Sequence, residues 1–538
     1  MDNTVPRSLP TTRRSFLLAG GVAGTLLALT ACGVPTAPPP PTAAPAAPTT
    51  AAPAAAKPAP TSAPSQPAAA PANAPAAAAP TSAAPKPTAA TTSGNSVQGG
   101  GSTIDWQAYK GKTVHYIWTN DKATISGMTP VWNEFEKLTG MTLKYEGLGT
   151  TPQRQKIELA LVAKDPSLDG FGMQVSQQGR QYFENKWLEP LTPFISNPGL
   201  TDASWDYKDF GAGALSASLI PDPDAQPGLT LPATAQSQVL YYRKDLFEQA
   251  GLKPPTTLDE MQHAAQALSN PSKQQYGITV RGLGHDATTH IGTYLYSLGG
   301  KWVGDDGRLA IDTPEMLKTL QFYGGLMHQY GPPGASGLSS NENAALVQQG
   351  QVAMMSELNN WEVIFNDPKQ SPKVAGKMAI SYIPRGPVAG PVPGGNFIMI
   401  PVQNFAISPF SKNKEATWCF LQWLANKQNF VRRLLTGQAS PRQSSWASTD
   451  FLDTSAAKDN PDWVKVSLGA AQYGRNWVSP PILAVDEFRG ILGKAIDAAV
   501  AGQPIPPALK TAQAGCDDLL KRTEPAGHKL VDWSKLPT

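Results

Sequence analysis

The chain has 538 residues, with 44 Lys and Arg against 41 Asp and Glu and a formal charge of +3. Three arginines against Asp2 put +2 on the leader, and Lys57 and Lys86 put +2 on the stretch that follows, so the rest carries −1 and has no basic run of the kind nucleic-acid binding needs. Beyond Cys32 there are two cysteines, Cys419 and Cys516, neither at metal-ligand spacing.

Arg7, Arg13 and Arg14 precede an apolar run, Phe16–Ala31. It is too short and too glycine-rich to span a bilayer core, which takes about 20 apolar residues. Residues 1–31 therefore read as an export signal. Thr12-Arg13-Arg14-Ser15-Phe16-Leu17 resembles the twin-arginine signal, with Leu18 where lysine is most frequent, so the general export route stays open. Leu29-Thr30-Ala31-Cys32 resembles a bacterial lipobox. That implies acyl chains on Cys32 and an extracytoplasmic protein anchored to the cell membrane. The alternative is a plain apolar cysteine within a signal. Residues 32–104 hold 17 of the 52 prolines among Ala, Thr and Ser, with no acid and no aromatic ring. They cannot bury a core, and read as a disordered, extended spacer.

The body begins near residue 105. Short β-type runs, "TVHYIWT", "MTLKYEG", "GFGMQV", "VLYYRK", "YGITVRG", "VAMMSE" and "FIMIPVQNFAI", alternate with helix signals. Thr129-Pro130 predicts a helix start with Val131, Phe135 and Leu138 on one face. Thr151-Pro152 predicts another with Ile157, Ala160 and Leu161 inward. Thr257 with Glu260 forms a capping box, and Thr313-Pro314 opens a further helix. This alternation predicts an α/β architecture with mainly parallel sheets. Cys419 and Cys516 sit in helix-like apolar patterns and read as buried thiols, a disulfide between them remaining open.

Catalytic and metal signatures are weak. Of six histidines, His285 and His290 alone fall close together, without helical i, i+4 spacing or a neighbouring cysteine. No nucleophile elbow, phosphate loop or dinucleotide fingerprint stands in a persuasive context. The expectation is no catalytic residue, no metal and no cofactor.

Three stretches carry a family resemblance: "DGFGMQVSQQGRQYFENKWLEPLTPFI", "LPATAQSQVLYYRKDLFEQAGLKPPTTLDEMQHAAQAL" and "ENAALVQQGQVAMMSELNNW". In their order, and with "AISPFSKNKEATWCFLQWL" and "SPRQSSW" after them, residues 112–525 resemble extracellular solute-binding proteins of ABC importers, family 1 type, carbohydrate-binding. The resemblance implies a periplasmic-binding-protein-like fold, two α/β lobes joined by crossing hinge strands with the ligand cleft between them. Lobe 1 is expected over 105–238 with 399–435, and lobe 2 over 239–398 with 436–538. It further implies a monomer that closes on a mono- or oligosaccharide and delivers it to ABC permease transmembrane subunits.

Sugars are met by aromatic rings on their C–H faces and by amides, acids and Arg at their hydroxyls. That chemistry and the resemblance together imply as substrate-binding residues Trp118 at the end of the first strand and Asn120 after it, Gln174 after the "GFGM" strand, Gln236 and Gln238 at the first crossing, Trp361, Asn396, Arg442 and Trp477. Each has a plainer alternative: packing core for the tryptophans, turn or cap for the amides, a structural ion pair for Arg442. Competing functions are a receptor for a polyamine, iron complex or organophosphate, an exported carbohydrate-active enzyme, and a surface adhesin.

Overall fold

In the computed structural model, which describes residues 103–120, 122–220 and 225–532, nine strands fall into two sheets. They are β1 (Thr113–Thr119), β2 (Thr142–Leu148), β3 (Gly170–Gln174), β4 (Leu231–Pro232), β5 (Gln238–Arg243), β6 (Tyr276–Thr279), β7 (Val352–Leu358), β8 (Met378–Tyr382) and β9 (Gln403–Ile407). The longer helices used below are α1 (Lys122–Thr139), α2 (Thr150–Val162), α3 (Val175–Glu184), α4 (Leu258–Leu268), α5 (Ile291–Ser297), α6 (Pro314–Tyr330), α7 (Lys414–Leu424), α8 (Lys427–Leu434), α9 (Pro461–Tyr473), α10 (Val485–Val500) and α11 (Ile505–Thr523). The export signal, Cys32 and nearly all of the Pro-rich stretch lie outside the described residues. Among the described residues no helix is long and apolar enough to cross a membrane.

The first sheet has the order β2-β1-β3-β9-β4; β1 lies parallel to β2 and β3, and β9 runs antiparallel to β3 and β4. The second has the order β6-β7-β5-β8; β6 is parallel to β7, and β5 is antiparallel to β7 and β8. Both sheets are mixed rather than mainly parallel. The cause is the chain's route: it leaves the first sheet along β4, enters the second as β5, and returns to the first as β9. Each sheet thereby gains a strand that runs against its neighbours.

Strand alternation sorts the core. Val114, Tyr116 and Trp118 of β1 face Val131 and Phe135 of α1 and the buried Trp418 and Phe420 of α7, whereas Ile117 joins Ile157 and Leu161 of α2 on the other face. Each such fully buried aliphatic side chain contributes about 1.5–3 kcal/mol. The Thr257–Glu260 capping box forms at the start of α4, and Thr313 caps α6. Thr129-Pro130 does not open a helix. Helix α1 begins at Lys122, and Pro130 lies inside it, with Thr129 Oγ1 donating to the Ile125 carbonyl. Cys419 and Cys516 are buried and unbonded, and burial pushes both thiols up to about 12.

Three segments join the lobes: 233–237, 398–402 and 436–442. The central one is bonded to both others, Ala233 N to Gln403 O at 2.7 Å, Ala235 N to Ala439 O at 3.0 Å and Gln238 N to Met399 O at 3.1 Å. The lobes are thus linked by a narrow, hydrogen-bonded band.

Candidate functional site

The register places the site. Gln174 at the end of β3 pairs with Gln403, and Leu358 at the end of β7 pairs with Gln238. The carboxyl ends of β1, β3, β6 and β7 therefore abut the crossing band, the edge at which open α/β sheets bind ligands.

Contacts between the lobes close over this edge. Ser479 Oγ donates to the Ser176 carbonyl at 2.6 Å. Arg180 of α3 donates to Pro481 O at 3.1 Å and to Glu524 at 2.8 Å. Arg154 of α2 pairs with Asp486 of α10 at 3.2 Å. A cavity of about 730 Å³ lies along this seam, lined by Arg154, Gln177, Gln178 and Gln181 on one side and Asp486 and Glu487 on the other. That volume falls in the range of small-molecule sites.

Several buried polar atoms on or near the crossing segments have no protein partner. Ser176 Oγ, Ser237 Oγ, Gln238 Oε1, Thr293 Oγ1, Asn476 Oδ1 and Trp477 Nε1 are all buried and make no hydrogen bond within the protein. Hydrogen bonds and a β-bridge connect their segments. Gln238 Nε2 and Tyr294 OH both donate to Ser356 Oγ, at 3.1 and 2.9 Å. Met399 bridges to Arg475 beside Asn476, and Trp302 Nε1 donates to Trp477 O at 2.9 Å. Leaving a buried polar atom unsatisfied costs about 1–3 kcal/mol, a cost that a hydroxyl-bearing solute within reach of these atoms offsets.

The second lobe holds a buried charged cluster that sequence reading missed. Glu357, fully buried at the end of β7, pairs with Arg281 at 2.6 Å and with His290 at 3.1 Å. Burial works against its ionisation, but Arg281 and His290 outweigh it and hold the carboxyl well below its usual range. Burial, then Arg281, push His290 below the usual imidazole value. A lone acid inside the apolar run "VAMMSE" was the available signal for this cluster. His285 and His290 do not form a metal pair: His290 turns to Glu357, while His285 reaches Asp486 at 3.4 Å. Among the described residues no group of three His, Cys, Asp or Glu is placed to hold a metal ion.

Of the expected site residues, Gln174 pairs with Gln403 beside the band, Gln236 and Gln238 lie on or next to it, Trp477 follows the Met399–Arg475 bridge, and exposed Asn120 follows β1. Gln174 Oε1 accepts from Gln177. Trp477 stacks on Tyr296 at 5.2 Å and meets Phe397 edge-on at 5.0 Å. Trp361 is half-buried, stacked on Phe365 at 5.9 Å, its Nε1 donating to Ser340 Oγ at 3.3 Å. Asn396 is a turn residue whose amide donates to Ile383 O.

Two of the expected residues are packed within the protein. Trp118 is 1% exposed and packs edge-on against Phe405 at 5.2 Å, over Gly172. Its parity on β1 with Val114 and Tyr116 turns it toward the lobe's core, where its Nε1 is buried without a partner. Arg442 is fully buried; its guanidinium donates to Ala425 O, Asp206 O and Trp205 O at 2.7 Å and to Asp209 at 3.1 Å. With its charge matched and its donors engaged, it is a structural ion-pair partner.

Comparison with known proteins agrees with this architecture. The chain is 27% identical over 410 residues to a mannitol-binding protein of Pseudomonas aeruginosa, covering 73% of this chain and 88% of the relative. It is 25% identical to an erythritol/L-threitol-binding protein of Mycolicibacterium smegmatis, over 65% of this chain and 74% of the relative. The crystal structure of an ABC transporter solute-binding protein from Agrobacterium radiobacter, in complex with ribitol, superposes with a TM-score of 0.67 at 29% identity, covering 76% of this chain and 99% of that one. Residues 120–429, more than half of the chain, match the bacterial extracellular solute-binding protein family. By its fold, its hinged lobes and that match, the chain belongs to this family.

Proposed function

We propose that this protein is the substrate receptor of an ABC importer and that its solute is an acyclic sugar alcohol. The observation that carries the reading is the set of unpartnered buried atoms at the seam, both donors and acceptors. A polyol presents a hydroxyl on every carbon and no flat C–H face. It suits a site rich in serine, threonine and amide groups better than one built on aromatic platforms. Trp118 lies in the core, and Trp477 already carries Tyr296 and Phe397. The relatives that bind mannitol, erythritol or L-threitol and ribitol support the same class.

On this reading the solute-contacting residues are Asn120, Gln174, Gln236, Gln238, Trp361, Asn396 and Trp477, joined by Ser176, Thr293 and Asn476. The lobes, 105–238 with 399–435 and 239–398 with 436–538, close on the solute and release it chemically unchanged to a permease. Export, a lipid on Cys32 and a spacer to residue 104 place the monomeric receptor outside the cytoplasm at the membrane face.

The experiment is a thermal titration with mannitol, ribitol, erythritol and maltose, with product analysis. A polyol at about 100 times its Kd adds about 2.7 kcal/mol to the native state and is recovered intact. A shift with maltose alone would overturn the polyol assignment, and cleavage products would overturn the receptor.

A further inference from the structure

A second cavity, of about 540 Å³, lies on the flank of the second sheet. Lys244 at the end of β5, Glu362 and Asn366 just after β7, and Asn460 and Trp463 at the start of α9 line it. None of the crossing or seam residues takes part.

Two deeply buried side chains in this wall each leave one polar atom without a partner. Glu362 is 1% exposed; Asn366 Nδ2 donates to its Oε1 at 2.7 Å, and its Oε2 meets no donor. Trp463 is equally buried, packed between Trp446 and Phe451, and its Nε1 meets no acceptor. Asn366 also reaches Asn460 Oδ1 at 3.3 Å, which ties the loop after β7 to α9 and fixes the pocket's shape. Asp367 and Asp459 stand at the rim, so three acids face one lysine.

We propose that this pocket is a second small-molecule site, independent of the cleft between the lobes, for a hydroxylated organic ammonium ion. The ammonium donates to Glu362 Oε2, and the hydroxyl oxygen accepts from Trp463 Nε1. One ligand of that chemistry satisfies both bare atoms, and the surplus of carboxylates selects its charge.

Binding is linked to a proton. Burial pushes the Glu362 carboxyl up to about 8, with Asp462 adding to the effect and Asn366 and Lys244 opposing it. Tyr241 of β5 also neighbours the carboxyl and is held protonated by its own burial. Near neutral pH the carboxyl carries a proton, which an incoming ammonium displaces to solvent.

The test is calorimetric titration of the whole protein with ethanolamine near neutral pH, in two buffers of different protonation enthalpy, with and without saturating mannitol. The expected result is binding unaffected by mannitol, close to one proton released per site, and weakening of about tenfold or more in Glu362→Gln. Gln keeps the side chain's shape and neutrality, so this variant folds; Trp463→Phe supplies a second variant, expected to weaken ethanolamine without altering the proton count. Absence of binding, displacement by mannitol, unchanged affinity in Glu362→Gln, or equal binding of neutral ethylene glycol would each overturn the site.

Discussion

Arg180 on α3 donates to Glu524 at 2.8 Å across the seam between the lobes, with only 2% and 6% of the two side chains exposed. This charge pair exists only when the lobes are together. Removing one partner of a buried pair costs about 3–5 kcal/mol. Glu524→Gln therefore falls on the closed arrangement: polyol affinity drops about tenfold or more, and the compaction that polyol induces, read as radius of gyration in X-ray scattering, is reduced. The Arg154–Asp486 pair spans the same seam with Asp486 64% exposed, and such pairs are worth about 0–1 kcal/mol. Asp486→Asn changes affinity little.

Thr293 separates binding from stability. Its hydroxyl is buried and unpartnered, so Thr293→Val, which keeps the shape, leaves the solute-free melting temperature unchanged or raises it. If the hydroxyl meets a polyol, affinity in calorimetry falls by about 1–3 kcal/mol. Equal affinity in the variant would remove Thr293 from the site.

Acid weakens the second lobe. Glu357 is held below its usual range in the native state, so its contribution is present above the unfolded value of about 4.3 and is lost as pH falls. His290 is also held below its unfolded value of about 6.5, so below that pH the unfolded chain takes up a proton that the native state refuses. Both act in the same direction. Denaturant melts are expected to show stability falling from pH 7 to 5, and His290→Gln to flatten that slope.

Trp118 tests the boundary between core and cleft. Its ring fills the space above Gly172 and against Phe405. Trp118→Ala is expected to cost about 3–5 kcal/mol of stability while the folded fraction binds polyol with unchanged affinity. A selective loss of affinity would return Trp118 to the site.

Much of the architecture was legible because its signals are local. Thr257 and Glu260 lie three residues apart and cap α4 as read, and the apolar alternation of β1 needs no distant partner. Helix α1 was misread because Pro130, a helix-start signal, sits in its interior, where neighbouring packing by Val131 and Phe135 dominates. Strand β8 was missed: "MAISY" lies at the sheet edge, and its pairing with β5, not its composition, makes it a strand.

The site was less legible because it is assembled from segments far apart in the chain. Arg281 and Glu357 are 76 residues apart and meet through the pairing of β6 with β7. Ser176 and Ser479 are 303 apart and meet only through lobe contact. Amides beside a crossing segment were readable from their position; which tryptophans face inward depended on strand parity, and Trp118 fell on the core side.

The crossing band has a topological consequence. Three passages are an odd number, so the two ends of the folded body ride on different lobes. Thr103 is fastened by its N–H to Asp202 in the first, and Asp532 accepts from Tyr296 in the second. On the proposed anchoring, a tether entering at residue 103 would grip the first lobe and leave the second as the moving jaw, and a pair of fluorophores at 103 and 532 reads its travel as one distance.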